Sequence, residues 1–132
     1  MVIDSSALAA ILLGETERRR FIEAIEAADL RLLSVANWVE ISIVIEARHG
    51  AEGSRDLQRF IECASMEIIA LDLEQGRLAR DAWIQFGKGR HPAGLNYGDC
   101  FAYALARQRA QALLFKGDDF THTDILCAGQ DG

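Results

Sequence analysis

The sequence predicts an α/β fold, a three-layer α/β/α sandwich with a central parallel sheet. Three observations lead there. Short apolar runs rich in β-branched residues recur along the chain, and each is followed by a stretch of helical periodicity. Capping residues stand at the junctions. Half of the 132 residues are apolar, enough to cover a sheet on both faces. The length suits one compact domain over residues 1–132, with no internal repeat and a single proline.

Each element follows from local signals. Residues 2–4 read as a short strand that feeds a helix at Ser5-Ser6-Ala7-Leu8, with Asp4, Ser5 or Ser6 as N-cap and Gly14 as stop. Residues 15–28 form a helix with Phe21, Ile22 and Ile25 on one face. Residues 30–33 are a strand. Ser34 caps a helix to about His49, with Gly50 as its stop. A further helix covers 53–64, a strand 67–71, and Asp72 caps a helix to about Phe86. Residues 87–94 are a basic, glycine-rich loop. A helix over 96–109, a strand over 112–115 and a turn-rich loop over 116–123 follow. Asp124-Ile125-Leu126 reads as a last short strand, and 128–132 as a frayed end.

Composition excludes several classes. The formal charge of −6 does not advertise nucleic-acid binding, although local patches and bound cations set the field at a site. Three scattered cysteines form neither a CxxC zinc pattern nor a disulfide framework, which points to a reducing cytoplasm. No signal peptide is evident, and no apolar run approaches the ~20 residues of a membrane span.

Against this background several carboxylates stand in the wrong company. Asp4 ends the apolar opening, and Asp99 opens the apolar run from Cys100 to Ala106. Glu40 shares a helical face with Ala36, Val44 and Ala47, and Asp118 and Asp119 follow Leu113-Leu114-Phe115. A buried carboxylate is costly unless it is paired or bound to a metal, and few basic residues lie nearby in sequence. In parallel sheets ligands bind beyond the carboxyl ends of the strands. The strand–helix order brings Asp4, Glu40, Asp99 and at least one of Asp118 and Asp119 to that edge.

Each acid has a plainer reading. Asp4 caps a helix, Asp99 completes a capping box with Asn96, and Asp118 and Asp119 have ordinary turn composition. Glu40 fits a plain reading least. Ser6 either bonds a site carboxylate or caps its helix. His91 and His122 read as exposed, Trp83 and Phe86 as core, and Cys100 as a small buried apolar residue. Lys88, Arg90 and Lys116 read as solvated or as phosphate contacts.

Oxygen-only ligands suit Mg²⁺ or Mn²⁺. Such an ion, with substrate phosphate supplying further oxygens, points to metal-assisted phosphodiester hydrolysis, with Asp4 as the choice for a bridging carboxylate if two ions bind.

Four segments carry a family resemblance: Val2 to Leu8, the helix with Glu40, Leu95 to Ala106, and Leu114 to Asp124. Together, in order and at these spacings, they resemble PIN-domain ribonucleases, specifically the VapC-type toxins of bacterial type II toxin–antitoxin systems. The resemblance covers essentially the whole chain. It implies an Mg²⁺- or Mn²⁺-dependent endoribonuclease, a homodimer, and a small antitoxin whose C-terminal segment lies over the active site. Carried over, Asp4 and Asp99 match the principal metal ligands, and Glu40 matches the family's second acid, with Glu40 and Asp119 counted among the metal ligands. Asp119 matches the fourth better than Asp118, and Ser6 matches a hydroxyl that orients the cluster. Two rivals stand beside this reading. A phosphoaspartate-forming phosphatase needs a second Asp where Ser6 stands. A degenerate module that only binds RNA or protein has no use for the intact acid set.

Overall fold

The computed structural model describes residues 1–129 and has four parallel strands in one sheet. These are β1 (Val2–Ile3), β2 (Leu32–Ser34), β3 (Glu67–Ile69) and β4 (Leu113–Leu114), in the order β3-β2-β1-β4. Val2 pairs with Leu32 on one side and with Leu113 on the other. Alternation along the strands splits the core in two. Val2, Leu32 and Leu113 face one cluster, and Ile3, Leu33 and Leu114 face the other.

Helices close both faces. On the first side lie α4 (Leu73–Phe86) and α5 (Tyr97–Arg109), which supply Ala82, Phe86, Ala102 and Leu105. On the second lie α1 (Ser5–Leu12), α2 (Arg18–Ala27) and α3 (Val35–Cys63), which supply Leu8, Phe21, Ile25, Ile41 and Leu57. The three-layer reading and the parallel sheet hold.

Caps set where helices begin. Asp4 Oδ2 accepts from the Ser6 N–H at 3.0 Å, Ser34 Oγ from Ala36 N–H at 3.2 Å and Asp72 Oδ1 from Gln75 N–H at 2.8 Å. Asn96 and Asp99 form a complete capping box at α5. At Gly50 the backbone turns to φ +63, ψ −155 inside α3. The predicted stop at Gly50 therefore holds, and α3 consists of two helical stretches that meet there at a kink.

The structure corrects several expectations. No strand forms at 124–126; only an isolated bridge joins Leu113 to Cys127. Residues 128 and 129 are tied down, because Ala128 N–H donates to Leu113 O at 2.8 Å and Arg20 donates to Gly129 O at 2.8 Å. The remainder of the predicted frayed end, 130–132, lies outside the described residues. Trp83 is 42% exposed rather than core, because α4 turns Ala79, Ala82 and Phe86 into the core instead. His91 is half-buried rather than exposed. Its ring meets Phe86 edge-on at 5.1 Å, and its Nδ1 accepts from Ala93 N–H. Lys116, instead of standing free, pairs with Glu15 at 3.2 Å and Glu17 at 3.5 Å.

Candidate active site

β1 is an inner strand of the sheet, and Asp4 is the first residue beyond its carboxyl end. The chain leaves β1 toward β2 on one side while β4 flanks it on the other, so Asp4 stands at a topological switch point. The same turn that caps α1 buries this carboxylate to 2% exposure. Oδ2 takes the Ser6 N–H, whereas Oδ1 is buried with no hydrogen-bond partner among the described residues. Burial pushes the Asp4 carboxyl up to about 6, against the hydrogen bonds from Ser6 and with a further push from the Glu40 charge.

Asp99 arrives on the first turn of α5. One of its oxygens serves the capping box, accepting from Asn96 N–H at 3.0 Å. Burial raises this carboxyl to about 7, opposed by that bond and reinforced by the charges of Asp4, Asp119 and Glu40. Asp119 is exposed on a 3₁₀ turn, Asp119–His122, behind β4. Phe120 anchors the turn; it is buried and packs against Phe115 with ring centroids 4.9 Å apart. Ser6 also helps here, because its Oγ accepts from Lys116 N–H at 3.0 Å and ties the β4 loop to α1. Asp118 is exposed and is not among the charges that act on Asp99.

Glu40 comes from the second turn of α3. Its Oε1 accepts from Ser5 Oγ at 2.5 Å and from Asn37 Nδ2 at 3.2 Å. Asn37 is fully buried, and its amide also donates to Gly98 O at 3.0 Å, which links α3 to α5. Residues from β1, α1, α3, α5 and the β4 loop thus meet at one edge of the sheet.

Among the described residues no three His, Cys, Asp or Glu side chains are arranged to hold a metal ion by themselves. Mg²⁺ rarely needs that, because it is usually held by one or two carboxylates, waters and substrate phosphate oxygens. Asp4 and Asp99 suit that role. They are electrostatically coupled, one has an unpartnered buried oxygen, and both pay for their charge in burial.

The comparisons with known proteins follow the same segments. The model of the PIN domain family matches residues 1–126. This chain belongs to the PIN domain family. Ribonuclease VapC30 of Mycobacterium tuberculosis is 51% identical over 125 residues, covering 95% of each chain. Ribonuclease VapC of Mycolicibacterium smegmatis is 48% identical over 125 residues, covering 95% of this chain and 97% of its own. Among solved structures, M. tuberculosis VapC20, described as a Sarcin-Ricin loop cleaving toxin, superposes with a TM-score of 0.76 at 13% identity over 95% of both chains. VapBC2 from Rickettsia felis, bound to a DNA fragment from its promoter, gives 0.75 at 10% identity, covering 96% of this chain and 94% of that one.

Three residues of this PIN domain's site went unread in the sequence: Ser5, Asn37 and Gly98. Asn37 left one signal, a polar residue three positions before Glu40 in the mostly apolar first turns of its helix. Gly98 left another, a glycine in the first turn of a helix, where neither a turn nor a positive φ requires it.

Proposed function

We propose that this PIN domain, a single unit over residues 1–132, is the toxin of a toxin–antitoxin pair and cleaves RNA endonucleolytically with Mg²⁺ or Mn²⁺. The observation that carries this reading is the meeting of Asp4, Glu40, Asp99 and Asp119, from four separate segments, at the switch point of a parallel sheet. Relatives at 51% and 48% identity that are named ribonucleases support it.

Asp4 and Asp99 would hold the cation, with Glu40 and Asp119 around it. When bound, such an ion supplies a Lewis acid for a phosphate oxygen and makes a nearby water more acidic. The chain's own residues do the rest. Glu40 is held at Oε1 by Ser5 and Asn37, which leaves Oε2 to take the proton of an attacking water. The backbone at Ser6 fixes Asp4 in one orientation, and the α5 capping box fixes Asp99. Ser6 Oγ and Phe120 hold the β4 loop that carries Asp119, whose charge reaches Asp99, and Asp118 is given only an assisting part.

Two exposed apolar surfaces support two protein partners. Val39 and Ile43 stand exposed on α3 one position before and three after Glu40, which suits an antitoxin segment laid over the site. Trp83 and Tyr97 line an apolar groove between α4 and α5 with Ala79 and Phe101, which suits a second copy in a homodimer. Solved neighbours that are toxin–antitoxin assemblies support the antitoxin. Among the described residues no helix is long and apolar enough to cross a membrane; action in the cytoplasm is part of the proposal.

The test is cleavage of a mixed RNA pool by the purified chain, free of any antitoxin. Cleavage is expected with Mg²⁺ or Mn²⁺ and not with EDTA, and Asp4→Asn and Asp99→Asn are expected to abolish it. Full activity of a rigorously purified Asp4→Asn protein overturns the site.

A further inference from the structure

Glu40 reaches the site on a long, flexible side chain, yet it is held from three directions. Ser5 Oγ donates to Oε1 at 2.5 Å from the start of α1. Asn37, one turn earlier on the same helix, donates to Oε1 at 3.2 Å. The third restraint is steric. A Cβ built on Gly98 lies 2.8 Å from both Cδ and Oε1 of Glu40, and closer still to Oε2. That is inside any real Cβ contact, so the carboxylate occupies the space a side chain at 98 would need. The backbone of Gly98 is not in the left-handed region, so conformation alone does not call for glycine there.

Asn37 joins these restraints. Its amide carries two N–H donors, one used on Glu40 Oε1 and the other on the Gly98 carbonyl at 3.0 Å. It is fully buried, and its own Oδ1 has no partner among the described residues. A buried amide that leaves one polar atom unsatisfied costs stability, and its geometry is spent on holding a glutamate to the helix that carries Asp99.

We propose that Asn37 is a positioning residue that clamps the Glu40 carboxylate to the first turn of α5, in a space that exists because residue 98 is glycine. This rests on the endoribonuclease reading above. Both residues act through Glu40.

The test is a double-mutant cycle read by melting temperature, with turnover as the second readout. Alanine is a better helix former than glycine. Gly98→Ala is therefore expected to lower Tm by several degrees when Glu40 is present, and to leave it unchanged or raise it in a Glu40→Ala background. Equal losses in both backgrounds overturn the clamp. At saturating Mg²⁺ and RNA, Gly98→Ala and Asn37→Ala are expected to lower kcat at least tenfold with KM within twofold. Asn37→Leu, which is close in volume and has no donor, should do the same and covers the case where Asn37→Ala fails to fold. Unchanged kcat in the folded variants overturns the proposal. If the unaltered chain does not cleave RNA, the functional reading falls, and the melting cycle still decides the clamp.

Discussion

Asp4→Asn is expected to make the metal-free protein more stable at neutral pH, although it removes the most buried acid of the site. Burial raises the Asp4 carboxyl from 3.8 to about 6. Between those values the folded state binds more protons than the unfolded state, so stability falls as pH rises through the window and levels off above it. About two units at 1.36 kcal/mol each amount to roughly 3 kcal/mol lost by pH 8. Asparagine carries no charge to desolvate, and its Oδ1 still accepts the Ser6 N–H. Its NH₂ replaces the unpartnered Oδ1, which takes back about 1–2 kcal/mol. The net expectation is near parity at pH 4.5 and a gain of about 1–2 kcal/mol for the variant at pH 8. Urea unfolding in EDTA across that range measures it. Asp99 loses the upward push of the Asp4 charge in the variant, which adds to the variant's gain at high pH. A stability difference that does not change with pH would refute the reasoning.

Other expectations follow from the same geometry. Because both Asp4 and Asp99 are raised, a cation must displace protons to bind, so its affinity should rise by up to about tenfold per pH unit per proton below pH 6 and flatten above about 8. Calorimetry in buffers of different ionisation enthalpy reads the released protons directly. Phe120→Ala should cost about 3–5 kcal/mol in urea unfolding and lower RNA cleavage as well, since the same ring holds the Asp119 turn. Tyr103→Phe should cost about 1 kcal/mol with cleavage unchanged, because its hydroxyl serves only Asp124, at 2.5 Å, on the C-terminal segment.

Much of this architecture is legible because its signals are local. Ser34, Asp72 and Asn96 each cap the helix that the sequence assigns to them, and Val2-Ile3 announces a buried strand by composition alone. Asp4, Glu40 and Asp99 stood out because each bounds or interrupts an apolar run, whereas Asp118 and Asp119 sit in an ordinary turn and stood out only by following an apolar strand. What stayed hidden depends on distant partners. The contact of Asn37 with Gly98 spans 61 residues, so the local signal at each position does not say that the two meet. The supposed strand at 124–126 failed for a similar reason. Pairing beside β4 is decided by neighbouring backbone, and there the chain bends into a single bridge at Cys127. Trp83 misled because helical spacing does not say which apolar face a two-sided helix turns inward.

The most direct test of the central claim is anomalous diffraction from crystals grown with Mn²⁺. The account predicts a Mn²⁺ peak within coordination distance of the Asp4 and Asp99 carboxylates, with Glu40 and Asp119 around it, and no such peak in Asp99→Asn crystals. A Mn²⁺ peak elsewhere on the chain, or one that survives Asp99→Asn at full occupancy, would contradict it.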